Sequence, residues 1–210
     1  MFLWLGCSFM LLAESRPVVL VYGDSLSAAY GIPLERGWAA LLQDKMRAQG
    51  LPHKVVNASI SGETSVGGLA RLPAVLERHQ PEWLLLELGA NDGLRALPLK
   101  NLRENLSAMI EQAAAIDART LLFEMMIPPN YGPVYSQAFT RSFADVAAAS
   151  GAELLPFFLL PIAGDEANFL ADGIHPNAAV QPLLLEQVWA KLGPLLLGRA
   201  PSTAETDDRP

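Results

Sequence analysis

Cysteine is almost absent from this chain: Cys7 stands alone among 210 residues. A single thiol forms no intramolecular disulfide and supplies no cysteine metal cluster. Histidine is nearly as scarce, with only His53, His79 and His175, so a histidine-rich metal site is not expected either. Basic residues are outnumbered, 15 Lys and Arg against 22 Asp and Glu, for a net charge of -7. A nucleic-acid binder would carry a basic patch, so nucleic acid is not an expected partner. No G-x-G-x-x-G or Walker sequence is present to cradle a dinucleotide or a nucleoside triphosphate. No apolar run is long enough to span a bilayer comfortably. The nearest is the first thirteen residues, which read as the apolar region of a secretory signal without its usual basic start. An anchor or a buried first strand are the other readings of that segment. Residues 1–15 are therefore set apart as a signal or anchor, 16–199 as one domain, and 200–210 as a disordered acidic tail. The expected location is periplasmic or secreted.

What the chain does have is apolar content, 51% against 18% charged, enough to build a core. Val18-Val19-Leu20-Val21-Tyr22 is a short β-branched run that ends in Gly23-Asp24-Ser25. It reads as a buried strand closed by turn residues. Lys54-Val55-Val56-Asn57-Ala58, Trp83-Leu84-Leu85-Leu86-Glu87-Leu88, the run 119–125 and the short run 152–155 read as four more strands. Between them, apolar residues recur at helical spacing over 37–46, 67–78, 102–115, 136–149 and 178–197, with Pro182 trimming or kinking the last. Alternating strands and helices of this length predict an α/β fold. The expected form is a three-layer α/β/α sandwich on a parallel sheet of about five strands.

Four loops that follow strand ends carry unusual polar residues: Ser25, Gly62, Asn91, and the pair Asp172 and His175. In a parallel sheet the carboxyl ends of all strands share one edge, so these residues converge in space. A serine hydroxyl needs a base to attack a carbonyl, and a histidine supplies one. The histidine needs an acceptor on its second nitrogen, and Asp172 lies three residues from His175 on one tight turn. The Ser25 and Gly62 backbone amides and the Asn91 side chain can donate to an oxyanion. Each residue also has an ordinary reading: Ser25 as a helix cap, Gly62 and Asn91 as turn residues, His175 as a surface group. Leu94, Leu97, Ile127, Pro128, Tyr131 and Ile174 are available to receive an apolar acyl chain, or simply to pack. His53, His79, Asp24 and Asp92 read as structural. Glu87 sits inside the most hydrophobic strand and requires a partner that the sequence does not identify.

Gly23-Asp24-Ser25-Leu26-Ser27, Gly62, Gly89-Ala90-Asn91-Asp92 and Asp172-Gly173-Ile174-His175-Pro176 resemble the four blocks of the GDSL, or SGNH, hydrolases. The resemblance spans roughly residues 18–197 and is closest to the bacterial periplasmic branch that acts as acyl-CoA thioesterase, lysophospholipase and arylesterase. It implies Ser25 as nucleophile, His175 as base, Asp172 as its partner, and Ser25, Gly62 and Asn91 as oxyanion hole. It implies a flavodoxin-like strand order 2-1-3-4-5 and no cofactor or metal. The expected partner is a small acyl ester or thioester, and the expected working state is a monomer. A carbohydrate O-acetyl esterase on the same machinery, or a silent lipid-binding protein, are the alternatives.

Overall fold

A computed structural model describes residues 16–198. The expected signal segment and acidic tail, and the last residue of the expected domain, lie outside the described residues. Five strands form one sheet: β1 (Val18–Gly23), β2 (Lys54–Asn57), β3 (Trp83–Glu87), β4 (Arg119–Phe123) and β5 (Glu153–Leu155). All four pairings are parallel, in the order β2-β1-β3-β4-β5. The three central strands are almost wholly buried, which is why they read as continuous apolar runs. Each fully buried leucine of β3 contributes roughly 2 kcal/mol through its removal from water.

Among the described residues six α-helices accompany the sheet: α1 (Trp38–Ala48), α2 (Ser65–His79), α3 (Ala90–Leu94), α4 (Leu99–Ala114), α5 (Pro133–Ser150) and α6 (Gln181–Leu196). Helix α1 packs on α6, while α2 packs on α4 and α4 on α5. These two helical layers complete the sandwich. The α1–α6 seam is locked by Gln181, whose side-chain oxygen accepts the Trp38 amide at 3.0 Å. That bond satisfies an amide that the first turn of α1 cannot.

Several boundaries differ from those expected. Helix α5 starts three residues early because Pro133 occupies its first turn, where a missing N–H costs nothing. Pro182 does the same in α6, so the helix begins at Gln181 and not at residue 178. Residues 89–93, expected as a turn, instead open the short helix α3. Gly89, at φ +119°, makes the bend into it, and a Cβ there would crowd Leu102 and Phe143. Strand order reverses at β1, which has β2 on one side and β3 on the other. The crevice at that switch point lies beyond the carboxyl ends of β1 and β3.

Candidate active site

Ser25 emerges two residues past β1. It caps no helix: residues 25–31 form successive tight turns, in which the Ala28 amide reaches Asp24 O at 2.9 Å and the Tyr30 amide reaches Ser25 O at 3.3 Å. The Ser25 hydroxyl is thereby left to other partners. His175 Nε2 lies 2.9 Å from Ser25 Oγ, across 150 residues of sequence. His175 Nδ1 lies 2.7 Å from Asp172 Oδ2. The other carboxylate oxygen of Asp172 accepts the backbone amides of Ile174 (2.9 Å) and His175 (3.0 Å). These two amides and the imidazole hold the Asp172 carboxyl down at about 2, so it stays ionised across the working range. The turn itself is closed by Leu170 N donating to His175 O at 2.7 Å and by a bridge between Phe169 and Pro176. One small hairpin therefore presents both side chains. The Tyr30 ring lies against the imidazole, with centroids 4.3 Å apart.

Asn91 sits in the first turn of α3, beyond β3, and lines the same crevice. Gly62 lies at φ +81° in the loop after β2, which is tied to the Gly-Asp-Ser turn by Gly23 N to Ser59 Oγ (3.0 Å) and Ile60 N to Gly23 O (3.0 Å). The Gly62 carbonyl accepts from Arg95 at 3.2 Å. Neither the Ser25 amide nor the Gly62 amide is occupied by a hydrogen bond among the described residues. Gly62 is not among the residues that line the cleft.

The cleft beside Ser25 has a volume of about 450 Å³. Of the residues expected to line it, Leu94, Ile127, Pro128 and Ile174 do. Leu97 and Tyr131 do not. The Tyr131 hydroxyl donates to Leu94 O at 2.7 Å, which turns the ring toward a separate surface hollow with Val134 and Tyr135. Leu97 is engaged through its backbone, by Tyr135 and by Asp92. Unexpected lining comes from Met125 and Met126 after β4, and from Phe157, Leu159 and Phe169 after β5. The rule that placed the four polar loops, that loops after parallel strands share one edge, brings these segments to the same edge but does not tell cleft wall from core.

Asp24 does more than the structural role expected of it. Its Oδ1 does hold the turn, accepting Leu26 N at 3.0 Å, but its Oδ2 accepts the Asn91 amide at 3.0 Å. Glu87 finds its partners in Ser27 Oγ (2.6 Å) and Asp24 N (3.3 Å). Burial, and then the neighbouring Asp24 charge, push the Glu87 carboxyl far above its usual range. Burial likewise raises Asp24, to about 6. Asp92 is also more than a turn residue, since it accepts the backbone amide of Ser65 at the start of α2 at 2.8 Å. Among the described residues no cluster of three His, Cys, Asp or Glu side chains could hold a metal ion. No helix among them is long and apolar enough to cross a membrane.

Residues 21–181 match the GDSL-like lipase/acylhydrolase family. Over 194 residues the chain is 48% identical to the esterase TesA of Pseudomonas aeruginosa, covering 91% of this chain and 96% of that one. Over 184 residues it is 41% identical to the thioesterase 1/protease 1/lysophospholipase L1 of Escherichia coli K12, covering 88% and 87%. The psychrotrophic esterase EstA of a Pseudoalteromonas species, whose crystal structure was determined with the enzyme inhibited by monoethylphosphonate, superposes with a TM-score of 0.82. It is 47% identical, over 86% of this chain and 98% of that one.

Proposed function

Since the chain belongs to the GDSL-like lipase/acylhydrolase family, we propose that it hydrolyses carboxylic esters and thioesters of acyl chains, with Ser25 as nucleophile, His175 as base and Asp172 as the group that orients the base. The observation that carries this reading is the Asp172–His175–Ser25 relay, with spacings of 2.7 and 2.9 Å, opening onto an apolar cleft. With its Nδ1 proton directed at Asp172, the imidazole presents an unprotonated Nε2 to the Ser25 hydroxyl.

As Ser25 Oγ bonds to the acyl carbon, its proton passes to His175 Nε2, and the carbonyl π electrons move onto oxygen. The Ser25 and Gly62 amides and the second hydrogen of the Asn91 amide surround that oxyanion. The tetrahedral intermediate then collapses. The bond to the leaving oxygen or sulfur breaks, and His175 returns its proton to the departing alcohol or thiol. Water repeats the sequence: it gives its proton to His175, attacks the acyl-serine, and releases the carboxylic acid as Ser25 recovers its proton. Ionised Asp172 stabilises the imidazolium that forms in each half.

The names of the relatives, esterase in P. aeruginosa and thioesterase and lysophospholipase in E. coli, favour acyl esters and thioesters over an acetylated glycan. The apolar lining of the cleft favours the same choice. Triad and cleft are complete within one copy, so the proposed working unit is a monomer. We place the mature enzyme outside the cytoplasm on the strength of the apolar opening segment.

The test is intact mass and peptide mapping after incubation with a fluorophosphonate. A single adduct on Ser25, lost in Ser25→Ala along with ester hydrolysis, is the expected result. Turnover retained in folded Ser25→Ala would overturn the nucleophile assignment, and no adduct on the folded wild type would leave a silent lipid-binding protein.

A further inference from the structure

Directly beneath the Gly-Asp-Ser turn lie two carboxyl side chains that no step of the hydrolysis uses. Asp24 is 1% exposed and Glu87 is fully buried. Glu87 ends β3 opposite Gly23 of β1, and its carboxyl fills the space a Cβ on Gly23 would need. Its Oε2 takes the Ser27 hydroxyl and the Asp24 amide, while Oε1 has no hydrogen-bond partner among the described residues. Asp24 stands one step nearer the cleft. One of its oxygens is engaged by Leu26 N, two residues along the same turn, and the other faces Asn91, 67 residues away on α3.

A primary amide is nearly symmetric in shape, and two orientations fit almost any pocket. They are opposite in chemistry. With Nδ2 inward, Asn91 donates to an oxyanion; with Oδ1 in its place, it repels one. A carboxylate accepts only, so at 3.0 Å Asp24 excludes the orientation that would present the Asn91 oxygen. One hydrogen of Nδ2 is spent on Asp24, and the second remains for the substrate oxygen. Simple turn closure does not explain this arrangement, because the bond to Leu26 already closes the turn. Burying two neighbouring carboxyls is costly, and an apolar pair would be cheaper.

We propose that Asp24 is a positioning residue for the oxyanion hole, selecting the donating face of the Asn91 amide, and that Glu87 anchors the turn carrying both Asp24 and the Ser25 amide. This rests on the reading of Ser25 as nucleophile and Asn91 as an oxyanion donor.

A double-mutant cycle tests it, with kcat and KM measured on p-nitrophenyl butyrate for wild type, Asp24→Ala, Asn91→Ala and the double variant, after thermal unfolding has shown each to be folded. Asn91→Ala is expected to lower kcat by about a hundredfold or more, as loss of one such donor does elsewhere. Asp24→Ala is expected to lower kcat by at least about tenfold, with KM little changed, because the amide loses its preferred face. In the Asn91→Ala background the same change should lower kcat by no more than about twofold, the scatter of non-interacting pairs. Should Asp24→Ala fail to fold, Asp24→Asn keeps the volume and enters the same cycle; its single carbonyl cannot serve Leu26 and Asn91 together. Multiplied losses in the double variant, or an effect on KM with kcat unchanged, would overturn the proposal. An unchanged kcat in Asn91→Ala alone would overturn the oxyanion-hole reading beneath it, and the proposal with it.

Discussion

Replacing Glu87 by glutamine should stabilise this protein above neutral pH and leave it nearly unchanged near pH 5. Unfolded, Glu87 titrates near 4.5; folded, burial and the adjacent Asp24 hold its proton to much higher pH. Between those two values the folded state binds one proton more than the unfolded state. Stability therefore falls as pH rises, by about 1.4 kcal/mol per pH unit for one such proton. Asp24 has the same sign, but its window closes near its folded value of about 6; His79, held below its usual range by burial, has the opposite sign, and its gain comes in as pH rises through 6.5. Asp172 also has the opposite sign, and its gain is complete well below pH 6. For each pH unit above 6 over which the folded Glu87 keeps its proton, the cost is about 1.4 kcal/mol, or roughly 3–6 °C in Tm for a domain of this size. In the Glu87→Gln variant the side chain has no proton to lose. The amide oxygen can accept from Ser27 and the Asp24 backbone, and the NH2 takes the place of Oε1, which has no partner to forfeit. Calorimetric Tm for both proteins from pH 5 to 8 is the assay, and the difference between the curves cancels the titrating groups that do not interact with Glu87, leaving only Asp24 to be counted with it. Two parallel curves, or a glutamine variant that loses ground as pH rises, would refute a protonated Glu87.

Asp172→Asn should lower kcat by about a hundredfold or more through loss of the tautomer-fixing acceptor, with Tm little altered because that carboxyl is 38% exposed; steady-state kinetics beside a melting curve measures both, and a kcat within tenfold of wild type would argue against an oriented base. Leu159→Trp, on the cleft wall after β5, should shift preference toward shorter acyl chains. The ratio of kcat/KM for p-nitrophenyl acetate to that for the decanoate is the readout, and an unchanged ratio would place the acyl chain elsewhere.

What could be read from the amino acids divides by the range of the interaction that fixes it. Strands and helices declare themselves through apolar period, and the parallel sheet follows from their alternation. The edge rule for parallel sheets then brings Ser25, Asn91, Asp172 and His175 together without any knowledge of distance, and the relay at 2.7 and 2.9 Å is what that convergence looks like in space. The same rule stops at the backbone. It puts Leu97 and Tyr131 near the cleft but does not say that the Tyr131 hydroxyl prefers Leu94 O, which turns the ring away. It leaves Phe157 and Leu159 indistinguishable from core until a cavity is seen beside them. Asp24 shows the division within one side chain. Its bond to Leu26, two residues on, belongs to turn chemistry and is visible in the sequence; its bond to Asn91 is not. Glu87 announces that it must have a partner, because an unpaired carboxylate inside Trp83-Leu84-Leu85-Leu86 would not be tolerated. Only the parallel register of β1 and β3, which sets Gly23 beside Glu87, brings that carboxyl under the nucleophile's own turn. The most hydrophobic strand thus ends in the group on which the polar half of the site rests, and a demand legible in one strand is met by a residue of another.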